Sequence, residues 1–230
     1  MKTCLKLIIL ITTASFVSCH TGKNIVFHDT FDDDRNNWNL KKDYYDFTVN
    51  ISDGKLNIEK LTRNRIKNGC LWLNKTINNF STAKDFSIIF SAKILSYDDV
   101  FKGIDFQWGT INLPNQITKF HQINLGACGE IFLDYFEKGW THVYRKSLSS
   151  KIKSNIIIDG VEYSNQPYPV KINKYNKYEI AQVGDSCFVY INNIHVYSAK
   201  INVVEGNSIG IQQCLKNSWK IDYLTIKQKK

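Results

Sequence analysis

The chain has 230 residues, of which 43% are hydrophobic and 13% aromatic, so it can build a sizeable core and is not an intrinsically disordered protein. Three prolines and the lack of a long Gly/Ser tract leave little room for a flexible linker, which favours one large domain. The formal net charge of +9 would suit a nucleic-acid or membrane-surface partner, if the basic residues are clustered accordingly.

The N-terminal segment has the layout of an export signal. Two lysines accompany a short apolar run over residues 7–17, which is too short and too rich in Thr and Ser for a permanent membrane span. The run ends in Ser18 and Cys19, which resemble the lipobox of bacterial lipoproteins. That resemblance implies cleavage after Ser18, a lipid on Cys19 and a chain anchored to the bacterial cell envelope by acyl chains. A plain signal peptide cut near Ala14 or Ser18 is the alternative.

The basic charge does not favour nucleic acid. Lys2 and Lys6 lie in the signal segment, so its removal lowers the net charge by two. The remaining basic residues are mostly Lys, in modest clusters over 146–153, 171–177 and 227–230, and only four are Arg. Dedicated readers of phosphates and bases rely on Arg. We therefore predict no nucleic-acid partner.

After Cys19 the chain reads as one strand after another. Apolar residues at every second position indicate strands with one buried and one solvated face, as in antiparallel sheets. This alternation covers residues 47–51, 55–61, 86–94, 103–108, 178–183, 188–192 and 219–226. Turn signals separate the strands, and no segment has a sustained apolar stripe of helical period. The pattern predicts an all-β fold, a two-sheet antiparallel β-sandwich or jelly roll, over residues 25–230, after a signal peptide at 1–18 and a short tether at 19–24.

Four cysteines remain after the signal segment and Cys19 are set aside. Outside the cytoplasm, Cys70, Cys128, Cys187 and Cys214 could form disulfides, with three pairings open. As free thiols they would act as small core residues. The spacing favours neither interpretation, and no Cys/His spacing indicates zinc.

Several stretches carry a family resemblance. Residues 27–38 open with a D-x-F-x-D pattern and end in an Asn-rich turn and Trp38, residues 52–56 lead into an apolar strand, and aromatic-rich stretches follow over 104–140 and 187–226. Together they resemble the concanavalin A-like lectin/glucanase domains, LamG-type jelly rolls, of Bacteroidetes-type surface lipoproteins. The resemblance implies two stacked antiparallel sheets, one of them concave, and a glycan that is bound or cleaved across the concave face.

The carboxylates do not form a convincing catalytic motif. The glucanases of this superfamily carry Glu-x-Asp-x-Glu on one strand, whereas here Glu130, Asp134 and Glu137 are spaced by four and three residues. Glu130 and Asp134 would share a face but lie about 13 Å apart, too far to act as a pair, and Glu137 would point the other way. They remain weak candidates, with Asp105 as a further acid, and we expect no catalysis.

Other chemistry is also weakly indicated. The sequence contains no nucleophile elbow, no zinc-protease motif and no phosphate loop. Asp32, Asp33 and Asp34 could offer oxygen ligands to Ca²⁺, but the spacing of a dedicated calcium loop is absent. Turn formation by short acidic side chains is the favoured interpretation, and no cofactor is predicted.

Binding residues are better represented. Aromatics that could stack on sugar rings are interleaved in the middle strands with amides that could bond hydroxyls. The predicted ligand-binding residues are Trp108, His121, Trp140, His142 and Tyr144, although a sandwich core also demands alternating aromatics. The sequence thus predicts a non-catalytic envelope lipoprotein that binds a glycan or another envelope component. A glycoside hydrolase-like enzyme and a purely structural lipoprotein are the alternatives.

Overall fold

The alternating segments of the sequence fold as β-strands that pair in antiparallel sheets. The computed structural model describes residues 23–38, 40, 47–61, 70–96, 103–112, 116–125, 131–137, 141–148, 154–158, 161–166, 170–171, 173–213 and 217–230, with the backbone alone at 60, 96, 111–112, 116–118, 141–148, 154–158 and 161–166. Every regular element in these ranges is a strand, which confirms the predicted all-β sandwich. No helix in the same ranges is long and apolar enough to cross a membrane.

The strands are, in chain order, β1 (Lys23–Asp29), β2 (Phe47–Ser52), β3 (Lys55–Lys60), β4 (Leu71–Thr76), β5 (Phe86–Ser96), β6 (Ile104–Asn112), β7 (Gln116–Leu125), β8 (Ile131–Glu137), β9 (Thr141–Leu148), β10 (Ser154–Ile158), β11 (Val161–Gln166), β12 (Asn176–Val183), β13 (Ser186–Ile191), β14 (Ile194–Lys200), β15 (Ser208–Gln213) and β16 (Ser218–Lys229).

Two large sheets form the layers of the sandwich. The eight-stranded sheet has the order β14-β13-β12-β5-β16-β3-β2, with β1 added beside β16, and the six-stranded sheet has the order β4-β15-β6-β7-β8-β9. Strands β10 and β11 form a separate hairpin. Strand β15 lies between β4 and β6, so it pairs with two strands that come about a hundred residues or more earlier in the sequence.

The core lies between β5 of the eight-stranded sheet and β6 of the six-stranded sheet. The Phe90 and Phe106 rings stack across the layers at 5.0 Å, and Phe86 meets Trp108 edge-on at 6.4 Å. All four side chains are fully buried, as expected for the apolar positions of two strands that alternate with period two. This packing fixes which face of each sheet points inward.

Short polar turns set the register of the hairpins, as the sequence predicts. Asp53 and Gly54 both have positive φ, 52° and 64°, between β2 and β3, and Asn192 and Asn193 do the same between β13 and β14 with 52° and 64°. Two successive residues of positive φ define the turn whose twist matches that of antiparallel strands, and Asn, Asp and Gly adopt it at least cost.

The acidic residues near the start of the domain form turns. Asp33 accepts a hydrogen bond from the Arg35 backbone N–H at 2.9 Å, and Asp34 accepts one from the Trp38 backbone N–H at 2.9 Å. The Arg35 guanidinium holds the pKa of the Asp33 carboxyl down, at about 2. In the described part of the chain, no group of three or more His, Cys, Asp or Glu could hold a metal ion.

The sequence left open whether the cysteines form disulfides or remain free thiols in the core, and the described cysteines include one of each. Cys70 is disulfide-bonded. Cys187 is a free thiol in the core, where burial raises its pKa to about 12. Cys128 and Cys214 lie outside the described residues.

Candidate functional site

The six-stranded sheet turns a polar surface away from the core. On β6, Phe106 and Trp108 belong to the core cluster, so the alternating residues Asp105, Gln107 and Gly109 point to the opposite side of the sheet. We call this side the polar face and define it by the residues of β4, β15, β6, β7 and β8 that share it. It has three rows that run across the strands.

The central row contains a polar residue or glycine from each of five adjacent strands. In register across β4, β15, β6, β7 and β8 it comprises Asn74, Gly210, Gln107, Gln122 and Asp134. Adjacent strands are about 4.8 Å apart, so the row is about 19 Å long from end to end. It is long enough to contact an extended oligomer.

The flanking rows add aromatic side chains and further amides. One row comprises Trp72, Gln212, Asp105 and Asn124, and the other comprises Thr76, Ser208, Gly109, Phe120 and Phe136. The Phe120 and Phe136 rings stack in parallel at 4.7 Å, with 7° between their planes. Aromatic groups therefore lie on both sides of the amide row.

Hydrogen bonds between side chains fix the orientation of the amides. The Gln107 Nε2 group donates to Gln122 Oε1 at 2.7 Å and to Gln212 Oε1 at 3.2 Å. The Asn124 Nδ2 group donates to Asp105 Oδ1 at 2.7 Å. Amides locked in this way are pre-organised, so a ligand does not have to order them.

The polar face is recessed. Gln107 is fully buried, and Gln212 and Asp134 are 6% and 3% exposed although they point away from the core. Trp72 and Phe136, by contrast, are partly exposed. Partly exposed aromatic side chains therefore lie beside polar side chains that have little accessible surface.

Two of the predicted ligand-binding residues do not lie on the polar face. Trp108 and His121 are both fully buried and point into the core, where their rings lie 5.3 Å apart. The His121 Nε2 group hydrogen-bonds the Asn202 carbonyl oxygen at 2.6 Å. Each lies on the apolar side of its strand and is used for packing, so the structure gives no support to their prediction as ligand contacts.

The other three predicted residues are only partly located. Trp140 lies outside the described residues. His142 and Tyr144 lie on β9, where the backbone register pairs them with Phe136 and Tyr135. Their side chains lie outside the described part of the structure, so their contact with a ligand stays a prediction.

The two described carboxylates of the polar face do not lie side by side. Asp105 and Asp134 share the polar face but are two strands and one row apart, a backbone separation of about 12 Å. Glu137 lies on the other side of β8, where it accepts a hydrogen bond from the Tyr135 hydroxyl at 2.5 Å, and Glu130 is outside the described residues.

Sequence reasoning missed half of the polar face. Trp72 and Asn74 on β4, and Gly210 and Gln212 on β15, were not among the predicted site residues, yet they complete its first two rows. The available signal was the alternation Leu-Trp-Leu-Asn over 71–74 and Ile-Gly-Ile-Gln over 209–212, which puts these four residues opposite the apolar ones.

Comparison with known proteins gives a fold and no family. No family model matches the chain, and no curated protein matches its sequence. Many solved structures are similar in fold, and three of them are compared with this chain. The Bacillus licheniformis beta-glucanase is 12% identical with a TM-score of 0.53, over 91% of this chain and 99% of that one. The catalytic domain of an endo-1,3-beta-glucanase (laminarinase) from Thermotoga petrophila is 13% identical with a TM-score of 0.53, over the same shares of the two chains.

The third structure is a CBM2 module of the evolved Dit of Lactobacillus casei BL23 phage J-1. It is 9% identical with a TM-score of 0.50, over 90% of this chain and 96% of that one. The chain has the concanavalin A-like jelly-roll fold. The resemblance noted in the sequence is therefore confirmed at the level of the fold, which hosts both binding modules and enzymes and does not by itself assign an activity.

Proposed function

We propose that the chain is a non-catalytic glycan-binding protein that holds an oligosaccharide across the polar face of its six-stranded sheet. The observation that carries this proposal is the row of amides fixed across adjacent strands between Trp72 on one side and the Phe120–Phe136 stack on the other.

The chemistry of the row suits a sugar chain. Pyranose rings have apolar C–H faces that pack on aromatic side chains, and their hydroxyls exchange hydrogen bonds with amides. The amides of Gln107, Gln122 and Gln212 are held by one another, so little side-chain entropy is lost when a ligand binds. The length of the row favours an oligosaccharide over a single sugar.

The absence of catalysis is part of the proposal. On its polar side, β7 presents Phe120, Gln122 and Asn124, so the described side chains of this strand contribute no acid to the face. The two described acids of the face, Asp105 and Asp134, lie on strands that are not adjacent and in different rows. The similar solved structures include beta-glucanases and a CBM2 module, and the amides on β7 favour the binding role.

We further propose that the domain is displayed on the bacterial cell envelope by a lipid on Cys19. The support is the resemblance of Ser18 and Cys19 to a lipobox after a short apolar run. The first described strand begins at Lys23, four residues after Cys19. Metabolic labelling with palmitate should mark the wild-type chain and leave the Cys19→Ser chain unlabelled and released from membranes.

A glycan array tests the main proposal. We expect the full Cys19→Ser chain to bind a subset of oligosaccharides and to leave them intact, as judged by mass spectrometry of the eluted sugars. Release of shorter products would replace the proposal with the hydrolase-like alternative. Failure to bind any glycan in the array would contradict it in favour of a structural protein-interaction role.

A further inference from the structure

The end of the sandwich at which β1 starts brings together the termini of six neighbouring strands of the eight-stranded sheet. Lys23, the first residue of β1, pairs with Lys229 of β16, whose backbone N–H donates to the Asp85 carbonyl oxygen just before β5. On the other side of β5, the turn between β12 and β13 follows Val183, and β14 ends beside this turn at Lys200. We call this end the basic rim and define it by residues 23–25, 83–85, 183–186, 200–206 and 227–230.

Lysines outnumber acids on the basic rim. Its charged residues are Lys23, Lys84, Lys200, Lys227, Lys229, Lys230, Asp85, Asp185 and Glu205. Asp185 forms an ion pair with Lys200, and Asp85 lies 3.9 Å from the Lys229 ammonium group. The six lysines and three acids leave an excess of three positive charges, and four of the six lysines are exposed to solvent.

Exposed aliphatic side chains lie among these lysines. Ile25, Val183 and Val203 are 61%, 47% and 46% exposed, and they are three of the five large hydrophobic residues that are exposed in the described part of the chain. The Ile201 backbone N–H donates to the Asp185 carbonyl oxygen at 2.8 Å, so the segment that contains Val203 starts beside the β12–β13 turn. Lysines together with exposed aliphatic groups suit contact with an anionic membrane surface.

The proposed lipid anchor is close to the same end of the sandwich. Cys19 precedes Lys23 by four residues, and four residues of extended chain span at most about 14 Å. The opposite end of the sheet is farther away, because the eight residues of β12 rise about 23 Å from one end to the other. A second basic cluster, with Lys171 and Lys174, lies at that far end, before β12 begins. The anchor therefore favours the basic rim over this second cluster as the surface nearest the bilayer.

We propose that the basic rim is a membrane-docking surface whose lysines contact the headgroups of anionic phospholipids, with Ile25, Val183 and Val203 against the interfacial layer. This rests on the proposed lipid on Cys19. The acyl chains hold the protein at the bilayer, and the basic rim fixes the orientation of the domain there. With this end on the bilayer the strands stand away from the membrane. The polar face, on the outer side of the six-stranded sheet, then remains open to a ligand.

Amide hydrogen exchange of the wild-type lipoprotein tests the contact directly. The protein is incorporated into phosphatidylcholine vesicles with or without phosphatidylglycerol, and exchange is followed by mass spectrometry. We expect phosphatidylglycerol to slow exchange over 183–186 and 200–206 and to leave the segment around Lys174 unchanged. High salt should remove the difference, because it screens charges at the surface. Equal exchange of the basic rim in the two kinds of vesicle would overturn the proposal.

Two matched double variants test the role of the lysines. Lys84→Glu with Lys230→Glu reverses two exposed charges of the basic rim, and Lys171→Glu with Lys174→Glu reverses two exposed charges at the opposite end. We expect the first pair to weaken docking at least tenfold, read from the protection that depends on phosphatidylglycerol, and the second pair to change it less than twofold. Both should melt at the wild-type temperature. Equal losses in the two variants would show attraction by net charge alone and would overturn the proposal.

Palmitate labelling separates the docking surface from the anchor. A labelled Cys19 with no protection of the basic rim keeps the anchor and removes the docking surface. An unlabelled chain removes the anchor and, with it, the docking proposal. Neither result affects the proposed glycan binding, which the glycan array tests separately.

Discussion

Asp29 shows how a single buried residue fixes the start of the sandwich. Its Oδ2 atom accepts a hydrogen bond from Trp38 Nε1 at 2.7 Å, and its Oδ1 atom accepts one from the Phe31 backbone N–H at 2.8 Å. Asp29 is only 3% exposed. The D-x-F-x-D pattern that carries the family resemblance is therefore a structural feature in this chain, where it holds the Trp38 indole in the core.

Replacement of Asp29 should therefore be costly. Asp29→Ala leaves two buried N–H donors without an acceptor, and we expect the free energy of unfolding to fall by about 2–4 kcal/mol. Asp29→Asn keeps one acceptor oxygen and should cost less. Asp33→Ala is the matched control, because Asp33 is exposed and its loss should change stability by less than about 1 kcal/mol. Urea unfolding would contradict this account if Asp29→Ala and Asp33→Ala were equally stable.

Single residues also show where sequence reasoning about the site fails. Alternation on β6 separates Phe106 and Trp108 from Asp105 and Gln107, but it does not say which of the two sets meets a ligand. Aromatic residues were predicted as ligand contacts because they can stack on sugar rings. This choice included Trp108, which is fully buried. The amide Gln107, its neighbour in sequence, occupies the polar face instead.

At the scale of elements, the strands and turns were the most predictable features. The predicted strand over 178–183 lies within β12, and that over 219–226 lies within β16. Pairing was not predictable, because β15 joins β4 and β6 through contacts such as that of Gln107 with Gln212, 105 residues away. No local pattern specifies such a contact, so half of the polar face could not be assembled from one sequence.

The segment that precedes β15 is held by a close contact between backbones. A Cβ atom on Gly206 would lie 2.2 Å from the carbonyl carbon and oxygen of Gly109 on β6. Thr82 also hydrogen-bonds to the Gly206 carbonyl oxygen, from its backbone N–H at 2.7 Å. Only a glycine allows the chain to enter β15 this close to β6.

Gly206→Ala should therefore destabilise the sandwich, because a methyl group would push the backbone of residues 204–207 away from β6. We expect a loss of about 1–3 kcal/mol in the free energy of unfolding, typical of overpacking. Gly184→Ala is a control with nothing within 4 Å of the added methyl and a φ of +55°, so it should cost only about 1 kcal/mol of backbone strain. Equal losses in denaturant unfolding would show that the contact at Gly206 is not tight.

At the scale of the whole molecule, the core holds ionisable groups in their neutral form. Burial raises the pKa of the Cys187 thiol from 9.0 to about 12, and it also raises the pKa of the Tyr178 hydroxyl. The unfolded chain releases these protons at lower pH than the folded chain does. Above pH 9 the folded state therefore binds more protons, and stability falls as the pH rises.

We expect stability to be insensitive to these groups below about pH 8 and to decline between pH 9 and pH 12, by up to about 1.4 kcal/mol per pH unit for each group. In Cys187→Ala the free energy of unfolding should fall less steeply with pH, because one of the two ionising groups is gone. This holds whatever the substitution does to stability at neutral pH. Urea unfolding measured from pH 7 to pH 11 checks this. An identical slope in wild type and variant would show that the thiol ionises in the folded state.

The central claim concerns one face of the whole sandwich, and two matched aromatics test it. Trp72 lies on the polar face, whereas Tyr190 lies on the outer face of the eight-stranded sheet, where its ring is 5.2 Å from that of His195. Titration calorimetry with the oligosaccharide that binds best on the array should be done with Trp72→Ala and Tyr190→Ala. We predict at least tenfold weaker binding for Trp72→Ala and less than twofold change for Tyr190→Ala, with both variants folded. Weaker binding for Tyr190→Ala with unchanged binding for Trp72→Ala would contradict the account.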